Sequence, residues 1–309
     1  MRMHLISRRQ AVLLALSLPS LPLAGCRASL PRDYGPSSSD QALSLLRRSA
    51  EAHGLSAHAK INDVNVSYAG RWRWLVGRLQ PALVDSQFRG GSEERWLLRE
   101  GIYAQSHSGP QGHKQVLRTY SGGEAARTRV WFNGQESQDR EQIDAAALVI
   151  DAYQLFLLGP ILLAANDNPR REIRAALAKP EVVKQAHTRF TCEVLNVYLN
   201  PGLGNSRADR LALYIDRETL LMRRVRMTLN GLETTRGALV DIDTYEHRLF
   251  EGIFWPTVFH ERLRRPAPLD VHTWQLTGLD VNRGETAVEV SAPEFSGKAT
   301  PPASRWLLS

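Results

Sequence analysis

Apolar positions along this chain repeat with two periods, and the switches between them divide it. Residues 40–53 carry Leu43, Leu46, Ala50 and His53 at helical spacing. Asp40 stands at the N-cap or just inside the first turn and Gly54 is the stop, which predicts an amphipathic helix packed on a neighbour. From about 60 to 133 the period falls to two. Residues 64–68 alternate, as do stretches around 83–88, 95–99, 102–106, 115–119 and 127–132. Gly90-Gly91, Gly101, Gly109-Pro110 and Gly122-Gly123 separate them, so several short antiparallel strands are expected.

The helical period returns over 141–165, where Ala145, Leu148, Val149, Ala152, Leu155 and Phe156 make a wide apolar face broken at Gly159-Pro160. Asp144, Asp151 and Gln154 within it argue against a membrane span. That leaves a buried core helix or a mobile lid over a ligand cavity. Alternation resumes at Val182, with strands expected at 182–189, 192–199, 210–216, 220–229, 234–243, 253–263 and 269–281. Asn230-Gly231 between two such runs predicts a tight hairpin, and Gly202-Leu203-Gly204 a hairpin turn. Residues 297–302 have no period and read as a loose tail.

A helix, about six strands, one or two helices and about seven strands define a mainly β (α+β) fold. Long antiparallel meanders curl, so the expected architecture is an incomplete β-barrel with helices covering the concave side. One half-barrel domain would span 40–285, with a helical insertion at about 141–178 and a C-terminal tail at 286–309.

The first residues add a different kind of segment. Arg2, Arg8 and Arg9 precede an apolar run at 11–24 that Ser17, Pro19, Ser20 and Pro22 interrupt. A membrane-spanning helix needs roughly 20 apolar residues, so residues 1–25 are an export signal instead. Leu23-Ala24-Gly25-Cys26 resembles the lipobox of bacterial lipoproteins, which implies cleavage before Cys26, diacylglyceryl and palmitate-type acylation there, and a membrane anchor. Ser7-Arg8-Arg9 resembles the twin-arginine export signal, although Ala11 stands where that family has a bulky apolar residue; the general secretory route is the alternative. Residues 26–39 would then be the lipidated cysteine and a flexible tether rich in Pro, Gly and Ser. Arg27, in place of the aspartate that retains lipoproteins in the inner membrane, favours the outer membrane facing the periplasm.

Charge and cysteine usage narrow the partners. The net charge of +7 comes from arginines scattered among acids, which describes a solvated face with modest affinity for anionic headgroups and no nucleic-acid site. There are two cysteines; with Cys26 acylated, Cys192 has no disulfide partner and is read as a small hydrophobe in the sheet.

Two stretches then point to a family. Residues 211–225 have the form strand, Asp-x-x-Thr turn, strand, through Asp216 and Thr219. Residues 240–245 form a strand ending in Tyr245, followed by the Gly252-Ile253-Phe254-Trp255-Pro256 entry to the next strand. Both resemble the periplasmic lipoprotein-sorting and lipid-carrier family, a group of half-open antiparallel barrels whose mouths are plugged by helices. The likeness runs in outline over 40–281 and in residue detail over 210–260. It implies an apolar cavity for the acyl chains of a lipid or lipoprotein. The chain departs from that family in its longer middle, around 133–180, and in its own anchor, which suits a membrane-held receiver better than a diffusing shuttle.

Catalytic constellations do not stand out. There is no Gly-x-Ser-x-Gly elbow. His260-Glu261 begins like a zinc-protease motif, but Arg264 stands where the second His belongs, so His260 is read as a solvent-side strand residue. Asp241 and Asp243 share a strand face, where a cation or acid–base role competes with a plain solvated face. Trp72 and Trp74, flanked by Arg71, Arg73 and Arg78, would face one side of a strand as an acyl-chain wall or as plain core. The expected ligand cavity is lined by Trp72, Trp74, Phe88, Trp96, Leu155 and Phe156, with no metal and no cofactor. The expected function is a lipid-anchored binding protein of the envelope, with an envelope protein partner possible. Two alternatives have their own signatures. An envelope enzyme would show a convergent polar cluster inside the barrel, where a carrier would be nearly all apolar. A structural adaptor would show a filled barrel and an apolar outer patch.

Overall fold

The computed structural model describes residues 30, 38–120, 125–165, 171–291 and 295. The expectations for the export signal with Arg8 and Arg9, for Cys26, for most of the tether and for the 297–302 tail lie outside these residues.

Helix α1 (Asp40–His53) starts because the Ser39 side chain accepts from the Ala42 amide, 3.1 Å away, and Asp40 sits in the first turn. Gly54 ends it at φ 110°, and a Cβ there would lie 2.3 Å from the Gly252 carbonyl oxygen, so only glycine fits. The buried stripe is Ala42, Leu45, Leu46, Ser49, Ala50 and His53; Leu43, expected on that stripe, points outward. A short turn, α2 (Leu55–His58), leads into the sheet.

Thirteen antiparallel strands form one sheet, and a two-stranded ribbon stands apart from it. The first meander is β1 (Asp63–Trp72), β2 (Gly91–Leu97), β3 (Ile102–Gly109), β4 (Gly112–Thr119), β5 (Arg127–Phe132) and the two-residue β6 (Gln135–Glu136). The second is β7 (Glu172–Gln185), β8 (Thr188–Asn200), β9 (Asp209–Asp216), β10 (Met222–Thr228), β11 (Leu239–Tyr245), β14 (Val258–Arg265) and β15 (Leu269–Val281). The ribbon is β12 (Arg248–Phe250) with β13 (Ile253–Trp255). Strand β1 pairs with β15, so the first and last strands lie side by side at the centre and fuse the two meanders. The far edges, β6 and β7, do not meet, and the barrel stays open. Ser38 and Ser39 bond to Ala175 of the β7 edge, which caps part of it.

Between the meanders, α5 (Arg140–Leu158) and α6 (Pro160–Ala165) break at Gly159-Pro160 as expected. Every residue of α5 from Ala145 to Leu158 is buried, because the sheet curls round the helix. Leu148, Ala152, Leu155 and Phe156 pack with β8–β11 and β15, while Ala146 and Ile150 meet Val116 and Val130 on β4 and β5. Of the two readings of this segment, the geometry is that of a core helix. Leu155 and Phe156 are in this core.

Several local expectations are corrected. The run at 83–88 is not a strand. It falls in a helical strap, α3 (Trp74–Leu79) and α4 (Pro81–Val84), that joins β1 to β2, because Pro81 starts a helical turn. The hairpin expected near 190 turns at 186–187 instead, and β7 starts at 172, inside the expected insertion. Asn230-Gly231 is not a two-residue hairpin: a loop with a 3-10 turn (Glu233–Thr235) links β10 and β11. Gly231 is needed there for close packing, since a Cβ would lie 2.8 Å from the Leu203 carbonyl oxygen and 3.3 Å from Leu148. Gly202-Leu203-Gly204 lies in a longer loop whose Leu203 is buried in the core. At the end of the chain, α7 (Ala287–Ser291) and Phe295 pack on Leu97 and Ala104, so this part of the tail is docked.

Candidate functional site

Register places the site. On β1 to β4, Tyr68 stands opposite Ser92, Ser92 opposite His107, and His107 opposite Lys114. Val66, Glu94, Gln105 and Val116 make the adjacent inward row. Cross-strand partners share a face, so a run of polar side chains lines the concave side of the first meander. On the other flank of β1, Trp72 pairs with His272, His272 with Glu261, and Trp274 with Phe259. The rings of Trp72 and His272 stack at 3.9 Å, His272 and Trp274 at 4.5 Å, and Trp274 and Phe259 at 5.0 Å. Gly70 makes this column possible: a Cβ there would sit 2.6 Å from the Trp274 Cβ and 2.7 Å from His272 Nε2.

These walls flank a half-open chamber of about 30 Å³, lined by Tyr68, Gly70, Trp72, Gly91, Tyr153 and Trp274 among others. A second space of about 10 Å³ adjoins it across Arg89 and His107. Arg89, at the end of the strap, is the hub. Its Nη1 donates to the Leu83 carbonyl at 2.7 Å and its Nη2 to the Tyr153 hydroxyl at 3.4 Å, while Nε has no partner. The guanidinium lies 5.5 Å from the Trp72 ring centroid and 5.9 Å from that of Tyr153. The Tyr68 hydroxyl, Trp274 Nε1 and His272 Nδ1 are also buried without partners. Buried polar atoms are nearly always paired, so four unpaired ones on residues lining one space single it out.

Burial sets the electrostatics. Glu94 is pushed up to about 7 by burial, against the opposing bonds from Trp96 Nε1 at 2.9 Å and Gln105 Nε2 at 2.8 Å. Glu261 is raised to about 7 by burial, with the Arg89 charge opposing. His107 and His272 are held well below their ordinary value by burial, reinforced by Arg89, and are neutral at pH 7. Burial also lowers Lys114, although its 2.6 Å contact with Asp85 of the strap opposes the shift. The chamber therefore combines a guanidinium and two neutral imidazoles, and two buried carboxyls raised to about 7, Glu94 and Glu261, lie outside its lining within electrostatic reach of Arg89. The interior is thus not the nearly all-apolar surface expected of a carrier.

The expected cavity residues fall in different places. Trp72 lines the chamber. Trp96 is buried one row away, bonded to Glu94. Phe88 packs on Phe132 at 4.8 Å. Trp74 does not share a face with Trp72, because β1 ends at Trp72 and the strap begins; the residue is 72% exposed. Trp274, like Trp96, Trp131 and Trp255, could be read from the sequence as acyl-chain wall or plain core, and it lines the chamber, whereas Arg89, Glu94, His107, Glu261 and His272 were missed. Their signal was polar residues standing in phase with the apolar ones, as with Glu94 beside Trp96, but phase has meaning only once register is known.

The other candidates are structural. Asp241 and Asp243 do share a face, but it is not a solvated one. Both are fully buried on the outer side of the sheet under Arg224, Arg226, Arg262 and Arg264, with Arg226 Nε bonded to Asp241 at 2.6 Å. Cys192 is buried among Val183, Val194 and Tyr214 as a small hydrophobe. His260 contacts Asp270 at 3.1 Å. Among the described residues no group of three His, Cys, Asp or Glu could hold a metal.

No family description matches the sequence, and no curated protein is similar enough to count as a relative. Among solved structures, a DUF1329 family protein from Desulfovibrio piger is similar at 12% identity and TM-score 0.48, over 81% of this chain and 95% of that one. A putative outer membrane lipoprotein-sorting protein domain from Vibrio parahaemolyticus is similar at 8% identity and TM-score 0.39, over 80% and 95%. A LolA superfamily protein from Nitrosomonas europaea is similar at 11% identity and TM-score 0.40, over 78% and 93%. The functional reading rests on the chain's own geometry.

Proposed function

We propose that this chain is an envelope protein that binds an acyl-bearing amphiphile, a lipid or the acylated end of a lipoprotein, with the polar end in the chamber. The observation that carries the reading is the set of unpaired donors, Tyr68 OH, Arg89 Nε and Trp274 Nε1, on residues that line one half-open cleft. Such donors suit the oxygens of a carboxylate, ester or phosphate. The Trp72–His272–Trp274–Phe259 column runs from that space to Phe156 and the apolar core, giving an adjoining alkyl chain a wall to lie on. Each buried methylene contributes about 0.8 kcal/mol.

A space of about 30 Å³ holds roughly one water, so an acyl chain enters only when a covering element moves. Helix α5 is pinned by the buried ion pair of its Asp151 with Arg118 of β4, 2.8 Å apart, so the strap at 73–90 is the element that opens. It is held by Lys114–Asp85 and by two backbone bonds, Gln111 to Gln87 and Gly90 to Ser108, each 2.9 Å. Anchoring through Cys26, on the outer membrane facing the periplasm, would keep this binder at the bilayer that supplies its ligand.

The test is organic extraction and mass spectrometry of the full chain carrying Cys26→Ser, purified from cells, followed by uptake of a fluorescent fatty acid. Stoichiometric lipid that is lost with Arg89→Gln supports the reading. An empty protein that takes up no probe, even with the strap loosened by Asp85→Asn, rejects it.

A second reading is favoured by Glu94 and Glu261. Two buried carboxyls near pH 7 beside a guanidinium could perform acid–base chemistry on the ester of the same amphiphile. Ester hydrolysis abolished by both Glu94→Gln and Glu261→Gln, with binding retained, would select it.

A further inference from the structure

Helix α3 turns its apolar residues the wrong way for a water-soluble surface. At 100° per residue Trp74, Leu75, Arg78 and Leu79 occupy one half of the helix, and Val76 occupies the other. Val76 is the buried anchor, packed with Val84 and Val271. Opposite it, Trp74 is 72% exposed, Leu75 38% and Leu79 62%. Exposed large apolar side chains are ordinary singly, but here three crowd into one six-residue helix. Their surroundings are basic: Arg71, Arg73 and Arg78 are all exposed, and no acid occurs between residues 71 and 80. Arg78 stands over the Trp74 ring at 5.9 Å, and Asp270 lies 3.9 Å from Arg73 with both side chains open to water.

The geometry points to α3 as a docking surface for a bilayer that carries anionic lipid. An exposed Trp with leucines beside it and arginines around it is the composition that settles at the membrane–water interface. The ring and alkyl groups enter the headgroup–acyl boundary while the guanidinium groups stay with phosphates. A protein partner would ask for a flat apolar patch with an evenly mixed polar rim, and this rim is mainly basic, with three arginines to the one acid, Asp270, beside Arg73. The location adds purpose. Trp72, two residues before Trp74, lines the chamber, and Arg89 closes the same strap. Docking through α3 would set the chamber's covering strap against the lipid surface. The surface stands on exposure and charge, so it does not depend on what the chamber binds.

The experiment uses the full chain with Cys26→Ser, so that no acyl anchor contributes, and an environment-sensitive fluorophore at Leu79→Cys. Cys192 is buried and stays unlabelled in the folded protein. A matching label at Val288→Cys, 83% exposed on α7, is the control for binding through any other part of the chain. Vesicles are phosphatidylcholine alone or with roughly one-quarter phosphatidylglycerol. The expected result is a blue shift at position 79 with the anionic vesicles only and none at 288. Replacing Arg71, Arg73 and Arg78 by Gln should weaken the partitioning on the order of 100-fold, and so should salt at about 1 M. All these positions are exposed, and an unchanged thermal transition confirms that each variant is folded. No shift at 79, an equal shift with neutral vesicles, or equal shifts at 79 and 288 would overturn the proposal.

Discussion

Arg118 of β4 and Asp151 of α5 form a two-pronged ion pair across the interior, with Nε at 2.8 Å and Nη2 at 3.1 Å from the two carboxylate oxygens. The Gly204 amide donates to the same carboxylate at 2.7 Å, and Tyr120 bonds it as well. Sheet, helix and the loop after β8 therefore meet at one buried charge.

Removing one member strands the other. Asp151→Ala leaves a buried guanidinium without its counter-charge and should cost about 3–5 kcal/mol in urea unfolding. Arg118→Met with Asp151→Asn removes both charges and keeps an acceptor for Gly204, so it should regain most of that loss. Equal destabilisation by the double variant would mean that packing, not charge, sets the cost.

Glu94 should make stability depend on pH in a defined direction. Its folded value of about 7 lies above the ordinary 4.5, so the folded state holds this proton more tightly than the unfolded chain does. Stability from this group is complete below about 4.5, falls as pH rises to about 7, and is level above that, a loss of up to about 3 kcal/mol. Buried His53, lowered to about 4 by burial, and His247, lowered to about 3, work the opposite way over the same range. The quantity to measure is the difference between the native protein and Glu94→Gln, in which the histidines cancel. A flat difference from pH 4.5 to 7 would contradict the assignment.

Gly70→Ala tests the aromatic column. Its methyl would meet the Trp274 Cβ at 2.6 Å and the Thr273 carbonyl oxygen at 2.9 Å, so Trp274 and His272 must shift. The expected cost is about 1–3 kcal/mol, with altered near-ultraviolet circular dichroism from Trp72 and Trp274. An unchanged spectrum would mean that the stack is not as close as described.

Cys192 should be inert. Burial raises its thiol to about 12, with Asp216 adding to the shift. In the Cys26→Ser chain, a maleimide at pH 8 should label nothing until denaturant is added. Rapid labelling of the folded protein would place the thiol at the surface.

Much of this was legible along the chain. Periods of two and of 3.6 separated the two meanders from the helices, because alternation depends only on which neighbours share a face. Gly54 and Gly159-Pro160 marked their stops for equally local reasons. The 269–281 strand was placed to the residue. Other features needed a partner distant in sequence. The run at 83–88 alternated well enough to pass for a strand, and Asn230-Gly231 looked like a hairpin until Leu148 and Leu203 packed against its glycine. Asp241 and Asp243 shared their face as expected, but the arginines of neighbouring strands decided that the face was buried and paired. The chamber is the clearest case. Tyr68, His107 and His272 come from three strands and Arg89 from the strap, and only the pairing of β1 with both β2 and β15 brings them round one space. Sequence determines which way each side chain points from its own strand; tertiary structure decides what it meets, and burial, against the opposing charge of Arg89, turns an ordinary carboxyl into one that titrates near 7.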